Sequence, residues 1–281
     1  MEEREREDAV RTVARDGDPD RYASALFAPR PVREPLVALY AFNVELARGA
    51  EQVSEPQLGE IRLQWWRDAL ERATAGEATG HPVADAVGST VRRYALSRDR
   101  IAGLIDARSF DVSVKIMPDA AALDDYLCKT AGAIFRLAAE VAAPHRTAGI
   151  EPAVRAAGIA YGLTGLMRAF PVHASRGRVD LPAETLFRHG TSPEQILAGQ
   201  TSRGLTDVLA EFRETARVAL KSARAHVAAL PREARKAFLP LALVDPYLTA
   251  LRKVDPLRQV AEINPLYRLW RLSTCRFPPS A

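Results

Sequence analysis

The sequence predicts an all-α fold, which we expect to form a single domain around a central cavity. Apolar residues recur at helical spacing along nearly the whole chain, and strand-like alternation of β-branched residues is almost absent. No Gly/Ser-rich or Pro-rich stretch is long enough to separate two cores. We therefore assign residues 1–20 to a charged N-terminal segment and residues 21–275 to one helical domain, with a ligand site in a cavity between its helices.

Prolines and a glycine mark the ends of the first predicted helices. Pro35 suits the first turn of a helix, because its fixed φ and missing N–H are tolerated there. A second helix is predicted over about residues 59–75 and ends at Gly76, and Pro82 begins a third. The helical period continues over residues 98–112 and 119–141.

The second half contains the longest predicted helices. A central helix spans about residues 151–170 and is expected to end near Pro171, which cannot donate the next backbone hydrogen bond. Ser192-Pro193-Glu194 places an N-cap residue before a proline and an acid, which is a start signal for a helix. A long amphipathic helix follows over about residues 202–230, and prolines then divide the C-terminal part into shorter helices.

The composition is that of an ordinary globular chain, with 47% hydrophobic and 26% charged residues among 281. Cys128 and Cys275 have no metal-binding or redox spacing, and residues 1–8 carry charges of both signs rather than a targeting pattern. The apolar run 156–167 ends at Arg168 and is shorter than the roughly 18–20 residues that span a bilayer. We therefore expect a cytoplasmic protein that is soluble or peripheral at the inner membrane.

The net charge of +4 comes mainly from arginine. Basic and acidic residues are interspersed, so the sequence predicts no nucleic-acid-binding stripe. A mild attraction to anionic membrane lipids is one interpretation of the charge. Solvated helix faces are the other.

The segment from Gly158 to Pro182 reads GIAYGLTGLMRAFPVHASRGRVDLP. It resembles the second aspartate-rich segment of squalene and phytoene synthases, in which a helix carries two Asp residues four positions apart before a basic stretch and a Gly-Arg-x-x-Leu-Pro ending. Carboxylates so spaced lie on one helical face and can hold Mg²⁺, which stabilises a departing diphosphate. The matching positions here hold Ala169 and His173, neither of which offers the oxygen ligand that Mg²⁺ prefers.

The first aspartate motif of the family shows the same change. Leu39-Tyr40-Ala41-Phe42 is similar to the Leu-Tyr-Ala-Phe that precedes Asp-Asp-x-x-Asp in the synthases. Aligned on Leu39, the three Asp positions hold Ala47, Arg48 and Glu51. The resemblance therefore implies the frame of a diphosphate site without its metal-binding carboxylates, and we expect no resident metal or cofactor.

Two further runs indicate one branch of the family. Residues 42–47 read FNVELA and residues 171–176 read PVHASR. Both resemble a branch that includes a mitochondrial assembly factor of respiratory complex I and its bacterial relatives. We therefore expect a bacterial, non-catalytic or diverged protein that binds an isoprenoid or lipid and interacts with complex I subunits or assembly intermediates. The alternative is an active Mg²⁺-dependent prenyltransferase that condenses two isoprenyl diphosphates.

Arginine dominates the candidate phosphate-binding residues, because its guanidinium binds phosphate oxygens in bidentate fashion and stays charged. The resemblance implies that the candidates occupy or flank the positions where the two motifs converge in the family: Arg48, Arg168, His173, Arg176 and Arg178. The alternative for the arginines is ion pairing with Asp180 or Glu184, and the alternative for His173 is a structural role.

Residues that line the cavity are expected on the helices that face it in the family: Tyr40, Phe42, Asn43, Trp66, Asp106, Asp111, Tyr126, Gly162 and Gly165. Core packing is the alternative for the aromatic residues, salt bridging with Arg108 for the aspartates, and close helix crossing for Gly162 with Gly158. An active enzyme would need substitute metal ligands, for which the candidates are Glu45, Glu51 and Glu55.

Overall fold

The computed structural model describes residues 2–51, 56–114, 116–275 and 277, with the side chains of residues 2, 50 and 51 left out. This part of the chain is helical and contains no β-strand, which confirms the all-α prediction. Its helices are α1 (Glu2–Gly17), α2 (Pro19–Ala25), α3 (Arg30–Glu51), α4 (Pro56–Ala75), α5 (Pro82–Tyr94), α6 (Arg98–Ala107), α7 (Ser109–Ser113), α8 (Ala120–Leu127), α9 (Ala133–Ala142), α10 (Glu151–Ser175), α11 (Ala183–Arg188), α12 (Pro193–Leu197), α13 (Arg203–Ala228), α14 (Arg232–Arg235), α15 (Val244–Ala250) and α16 (Pro265–Thr274). A π-helical turn (Cys128–Gly132) and a 3₁₀ segment (Lys236–Leu243) complete the list.

The chain divides into two compact units. Unit 1 contains Met1–Ser113, Ala133–Gly149 and Leu230–Pro240. Unit 2 contains Val114–Gly132, Ile150–Ala229 and Leu241–Ala281. Our assignment of residues 21–275 to one domain stays a prediction.

Helix α3 lies in the core of unit 1, where α1, α5 and α9 pack against it. Its Leu39, Tyr40 and Phe42 are buried, and the Phe42 ring meets the Trp66 ring of α4 edge to face, with centroids 5.2 Å apart. Burial raises the pKa of Tyr40, so the phenol remains neutral. The aromatic residues of the first motif are thus packed inside this unit.

The N-terminal segment folds as α1 and joins unit 1. Val10 and Ala14 are buried, and Arg11 forms an ion pair with Glu34 of α3 at 3.1 Å. Helix α1 thus buries apolar side chains on one side and forms an ion pair through a charged side chain on another, as is typical of an amphipathic surface helix.

Pro35 is not a first-turn residue, because α3 begins five residues earlier at Arg30. A proline inside a helix cannot donate to the carbonyl four residues before it. In α3 that carbonyl belongs to Pro31, and it accepts a hydrogen bond from the Tyr94 hydroxyl of α5 at 2.9 Å. The helix therefore tolerates Pro35 with a side chain from another helix in place of the missing donor.

The central helix also continues past its proline. α10 extends through Pro171 to Ser175, five residues beyond the predicted end at Phe170. Phe170, Pro171, His173 and Ala174 are all buried, so packing of this last turn offsets the hydrogen bond that Pro171 cannot donate.

Two of the predicted helices are each divided in the structure. The predicted helix over residues 98–112 is divided at Arg108 into α6 and α7. The predicted helix over residues 119–141 is interrupted by the π-helical turn between α8 and α9. The predicted starts of α4, α5, α12 and α13 and the predicted ends of α4 and α13 agree with the structure to within three residues.

Helices α10 and α13, the longest in unit 2, pack against each other. No helix in the described part of the chain is both long and apolar enough to cross a bilayer.

The π-helical turn lies close to the middle of α10. A Cβ atom added at Gly158 would stand 2.9 Å from the Cα of Gly132 and 3.3 Å from the carbonyl oxygen of Leu127. Gly162 approaches the Leu127 side chain in the same way. The close crossing weighed for Gly158 and Gly162 is therefore observed, whereas a Cβ at Gly165 would enter open space.

We expect Gly158→Ala to destabilise the protein by about 1–3 kcal/mol, because the added methyl group overlaps the backbone of Gly132, which cannot rotate away. Urea unfolding followed by circular dichroism measures the change. Gly165→Ala on the same helix is the matched control, and it should be neutral or stabilise by up to about 1 kcal/mol. Equal stability of the two variants would show that the crossing is looser than described.

Candidate functional site

The end of α10 is a tight turn through Gly177. The φ of Gly177 is +77°, in the left-handed region that glycine adopts most easily. Its N–H donates to the Ala174 carbonyl at 3.0 Å, and the N–H of Arg178 donates to the His173 carbonyl at 2.9 Å. The turn closes the helix and sends the chain back along its last residues.

The residues after this turn pair with the segment that precedes α8. The Met117 N–H donates to the Val179 carbonyl, and the Ala183 N–H donates to the Met117 carbonyl, both at 2.9 Å. Val179 and Leu181 are buried on this short ladder. The Gly-Arg-Val-Asp-Leu-Pro tail is thereby fixed in an extended conformation.

Asp180 is the charged residue of this tail that lies deepest, with 3% of its surface exposed. One carboxylate oxygen forms a hydrogen bond with Nδ1 of His173. The other accepts a hydrogen bond from Nε of Arg178 at 2.8 Å. His173 and Arg178, predicted as phosphate-binding residues, are thus brought together around a carboxylate of the same segment.

The electrostatics favour an ionised Asp180. Burial opposes its ionisation, but the hydrogen bond from His173 and the charge of Arg178 outweigh burial, so the pKa of the Asp180 carboxyl lies below its ordinary value. A buried anion must have such partners, since an unpaired charge is costly away from water. Arg178 therefore forms an ion pair with Asp180, which is one of the two acidic partners that we considered for the arginines.

Arg168 is held by a different set of contacts. Its guanidinium carbon lies 3.6 Å from the centre of the Tyr247 ring, and its Nε donates to the Ala261 carbonyl at 3.3 Å. A cation stacked on an aromatic face is attracted to the ring's negative π surface. Arg168 thus ties α10 to α15 and the following chain, whereas Arg176 is exposed at the C-cap of α10.

Unit 1 contains a second buried ion pair near the first motif. Arg108 donates to the Asp111 carboxylate at 2.9 Å and to the side-chain oxygen of Asn43 at 2.9 Å. Asp106 lies apart from this pair, on the surface, where it bonds Arg67 at 2.7 Å. Asp111 therefore forms the salt bridge with Arg108 that we considered, whereas Asp106 pairs with Arg67 instead, and a role of either aspartate in lining a cavity stays a prediction.

The aromatic cavity candidates are packed residues. Phe42 and Trp66 are fully buried against each other, and Tyr126 is buried in α8, where its carbonyl accepts a hydrogen bond from the Thr130 hydroxyl at 2.6 Å. A packed residue can still form part of a cavity wall, so the role of these residues in lining a ligand cavity stays a prediction.

Two of the three acidic candidates for metal binding, Glu45 and Glu51, belong to α3. Glu45 and Arg48 are both partly exposed, and the described residues provide no ion-pair partner for either. The side chain of Glu51 and all of Glu55 lie outside the described residues. Within the described residues, no group of three or more His, Cys, Asp or Glu side chains could hold a metal ion.

Sequence reasoning missed the residues that hold the candidates in place. Asp180 was weighed only as a partner for an arginine, and Tyr247 and the Ala261 carbonyl were not considered. The signal for Asp180 is the alternation of charged and apolar residues from Arg178 to Leu181 directly after a helix end, which is typical of a short extended segment. No local signal identifies Tyr247, because it lies 79 residues from Arg168 in the chain.

Comparison with known families places these features in context. The family model described as squalene/phytoene synthase matches residues 14–269. NADH dehydrogenase (ubiquinone) complex I, assembly factor 6, from Mus musculus is 31% identical over 243 residues, which cover 86% of this chain and 73% of that protein. The human protein of that name is 29% identical over 268 residues, covering 92% and 80%. Presqualene diphosphate synthase from Rhodopseudomonas palustris is 32% identical over 183 residues, covering 63% and 64%.

Solved structures show the same fold. A squalene synthase from Alicyclobacillus acidocaldarius superposes with a TM-score of 0.75 at 22% identity, covering 89% of this chain and 94% of that one. A dehydrosqualene synthase in complex with ligand gives a TM-score of 0.80 at 16% identity, covering 97% and 95%. At these identities the agreement concerns the fold alone.

We expect Asp180→Asn to destabilise the protein by about 3 kcal/mol at pH 7, because it leaves Arg178 and His173 without their buried anion. The lowered folded-state pKa of Asp180 stabilises the fold fully above its unfolded value, near 4, and this contribution is lost as pH falls through the folded pKa. The difference between variant and wild type should therefore shrink in acid. Urea unfolding at a series of pH values measures it.

Glu184→Gln is the matched control for this experiment. Glu184 is an exposed carboxylate four residues further along, and its substitution should change stability by less than about 0.5 kcal/mol at any pH. A pH-independent loss in Asp180→Asn would mean that packing, and not the charge of Asp180, stabilises this turn.

Proposed function

Because this chain belongs to the squalene/phytoene synthase family, we propose that it is a diverged member that binds an isoprenoid or lipid and supports the assembly of respiratory complex I. The proposal is supported mainly by the burial of His173 and by its hydrogen bond with Asp180. The residue that replaces the second aspartate of the helical motif is buried and bonded to Asp180 of the tail. Its ring therefore supports the turn after α10.

Four of the five positions that align with the family aspartates hold residues that do not fit Mg²⁺, and the fifth holds Glu51, whose side chain lies outside the described residues. Ala169 has no ligand atom, and neither does Ala47. Arg48 carries the same sign of charge as the ion. The Nδ1 of His173 is bonded to Asp180, whose two carboxylate oxygens are engaged by His173 and Arg178. No reaction step through a metal follows from this set of groups.

The assembly role is supported by the relatives. Proteins named complex I assembly factor 6 from mouse and human match this chain over 86% and 92% of its length. We infer that the partners are complex I subunits or assembly intermediates, and that a bacterial cell would hold the protein in the cytoplasm, peripherally at the inner membrane. The isoprenoid or lipid ligand is proposed from the family alone.

A second function is an active prenyltransferase. The 32% identity to a presqualene diphosphate synthase over 183 residues favours it. Such an enzyme would need carboxylates other than the usual aspartates, with Glu45, Glu51 and Glu55 as the substitutes near the first motif. The proposal of a diverged protein is preferred because the second motif retains no carboxylate on the helix itself.

We expect the purified protein to release no diphosphate from farnesyl or geranylgeranyl diphosphate in the presence of Mg²⁺. The physical reason is that the leaving diphosphate lacks a metal to stabilise its charge. A colorimetric assay of released diphosphate measures this, with a presqualene diphosphate synthase as the positive control. Release at a rate comparable to that enzyme would establish the second function.

Binding of the same diphosphates tests whether arginines replace the metal. If arginines replace the metal, binding is insensitive to EDTA and weakens with salt. Arg48→Ala should lower affinity roughly tenfold or more, whereas Glu51→Ala, which removes a negative charge, should not lower it. Arg48 serves better than Arg168 here, because replacing Arg168 also uncovers the Tyr247 ring. Binding that requires Mg²⁺ would contradict the proposal.

Deletion of the gene should reduce NADH:quinone oxidoreductase activity in isolated membranes, since an assembly factor acts on the amount of complete complex. Native gels should show accumulation of smaller subcomplexes, and the wild-type gene supplied in trans should restore activity. Normal activity in the deletion strain would rule out the assembly role, while leaving ligand binding to be measured separately.

A further inference from the structure

Helix α4 presents a row of apolar side chains to solvent. Leu58 is 51% exposed, Ile61 is 64% exposed and Trp65 is 42% exposed. They follow one another at steps of three and four residues, so their side chains are neighbours on one side of the helix. Contiguous apolar side chains that face solvent mark interaction sites.

The opposite side of α4 is packed within unit 1. Leu63, Trp66 and Leu70 are buried. Gly59 permits close contact with α7, because a Cβ added there would stand 2.5 Å from Cγ1 of Val112. These contacts fix the helix, and the apolar row lies outside them.

Trp65 is exposed, yet its ring is held in place. It meets the Trp66 ring edge to face with centroids 5.0 Å apart, and the His81 ring with centroids 5.3 Å apart. His81 is itself fixed as the N-cap of α5, where its Nδ1 accepts a hydrogen bond from the Ala84 N–H at 3.4 Å. A fixed tryptophan loses little conformational freedom on binding, and tryptophan is enriched among the residues that contribute most to protein interfaces.

Acidic side chains lie beside the apolar row. Gln64 and Asp68 come three residues after its last two members, and the Gln64 amide donates to the Asp68 carboxylate at 2.7 Å. Glu60 lies four residues before Gln64, and Glu71 lies three residues after Asp68. The exposed carboxylates of α4 therefore follow a neighbouring line of the same helix surface.

These three carboxylates are not neutralised by the arginines of the helix. Arg67 pairs with Asp106 at 2.7 Å, and Arg72 pairs with Glu77 at 3.4 Å. Within the described part of the chain, none of the three carboxylates forms an ion pair. Arg62, on the other side of the apolar row, is the one cation of α4 without an acidic partner among those residues. The charge available beside the row is therefore mainly negative.

We propose that this face of α4 is a docking surface for an amphipathic helix of a partner protein that carries lysine or arginine beside its apolar residues. The apolar side of the partner helix packs on Leu58, Ile61 and Trp65. Its cations pair with the carboxylates, which orients the helix and selects a basic partner. The proposal rests on the assembly function proposed above and names the surface that binds a complex I subunit or assembly intermediate.

Charge argues against other occupants of this face. An anionic bilayer would bring negative headgroups to the carboxylates. A second copy of the same face would bring mainly the same sign of charge, which costs affinity. Residues 52–55 precede the helix and contain a single apolar residue, Val53, which is too little to cover the row.

A pair of synthetic peptides tests the surface. One peptide forms a helix with leucine on one face and lysine on the other, and the second carries glutamate in place of lysine. Fluorescence anisotropy of the labelled peptides with the full-length protein measures both affinities. We expect the lysine peptide to bind about tenfold more tightly or better, and salt to weaken its binding.

Substitutions on α4 should weaken binding of the lysine peptide. Ile61→Gln with Trp65→Gln should reduce affinity about tenfold or more, because it removes the centre of the apolar row. Ile61→Gln alone should reduce it roughly threefold or more while leaving the ring contacts of Trp65 intact. Asp68→Lys should weaken binding of the lysine peptide roughly fivefold or more and strengthen binding of the glutamate peptide.

Two matched controls lie elsewhere on the protein. Leu266→Gln removes an apolar side chain that is 77% exposed on α16, where the charged residues are arginines. Glu184→Lys makes the same charge change as Asp68→Lys at an exposed site on α11. Both variants should bind the lysine peptide like wild type, and circular dichroism verifies that every variant is folded.

Several outcomes would overturn the proposal. These are failure of the lysine peptide to bind, equal affinity for both peptides, and α4 variants that bind like wild type. Flotation with phosphatidylglycerol vesicles that Ile61→Gln abolishes would identify a bilayer as the occupant instead. A dimer in sedimentation velocity that Ile61→Gln dissociates would identify a second copy.

Complementation of the deletion strain separates this surface from the proposed function. At equal protein level, the variant with both Ile61→Gln and Trp65→Gln should restore less NADH:quinone oxidoreductase activity than the wild-type gene. Full restoration by the variant would overturn the surface and leave the assembly role standing. Normal activity in the deletion strain would overturn the assembly role, and the peptide affinities would still decide whether the surface binds a basic helix.

Discussion

The C-terminal end of α10 depends on the hydrogen bonds and ion pair formed by the carboxylate of Asp180. This carboxylate lies in the tail that follows the helix, yet it bonds a side chain of the helix itself, His173, and the arginine between them, Arg178. Gly177 permits the sharp reversal that makes this geometry possible. This one anion thus holds the end of the helix to the tail that follows it and directs the side chains of His173 and Arg178.

This arrangement gives a physical basis for the proposed divergence of this chain within its family. A helix that carries aspartates toward a metal must keep their oxygens available to the ion. In this chain the corresponding side chain, His173, forms part of the internal support of the protein. The basic residues of the second motif therefore have structural partners: Asp180 for Arg178, and Tyr247 for Arg168.

The sequence predicted the helices well where local signals are strong. Ser192 before Pro193, Gly76 after α4 and Pro82 at the start of α5 are signals in the chain itself, and the structure agrees with them. The predictions based on Pro35 and Pro171 were wrong because of tertiary contacts. The Tyr94 hydroxyl replaces the N–H donor that Pro35 lacks, and burial of the last turn of α10 offsets the hydrogen bond that Pro171 cannot donate. That the candidate residues form a ligand site stays a prediction, and the sequence did not indicate the bonds that hold them. His173 and Arg178 were identified by resemblance, whereas the contact of Arg168 with Tyr247 depends on two helices meeting, which no local pattern encodes.

The hydrogen bond from Tyr94 to the Pro31 carbonyl has a consequence for the order of events during synthesis. The acceptor is in the first turn of α3, and the donor is the last residue of α5, 63 positions later in the chain. Pro35 has no N–H to donate to the Pro31 carbonyl. On a nascent chain, water must therefore hydrogen-bond to that oxygen until residue 94 has left the ribosome. The start of α3 is therefore expected to be completed after α4 and α5 have been made, although it precedes both in the sequence.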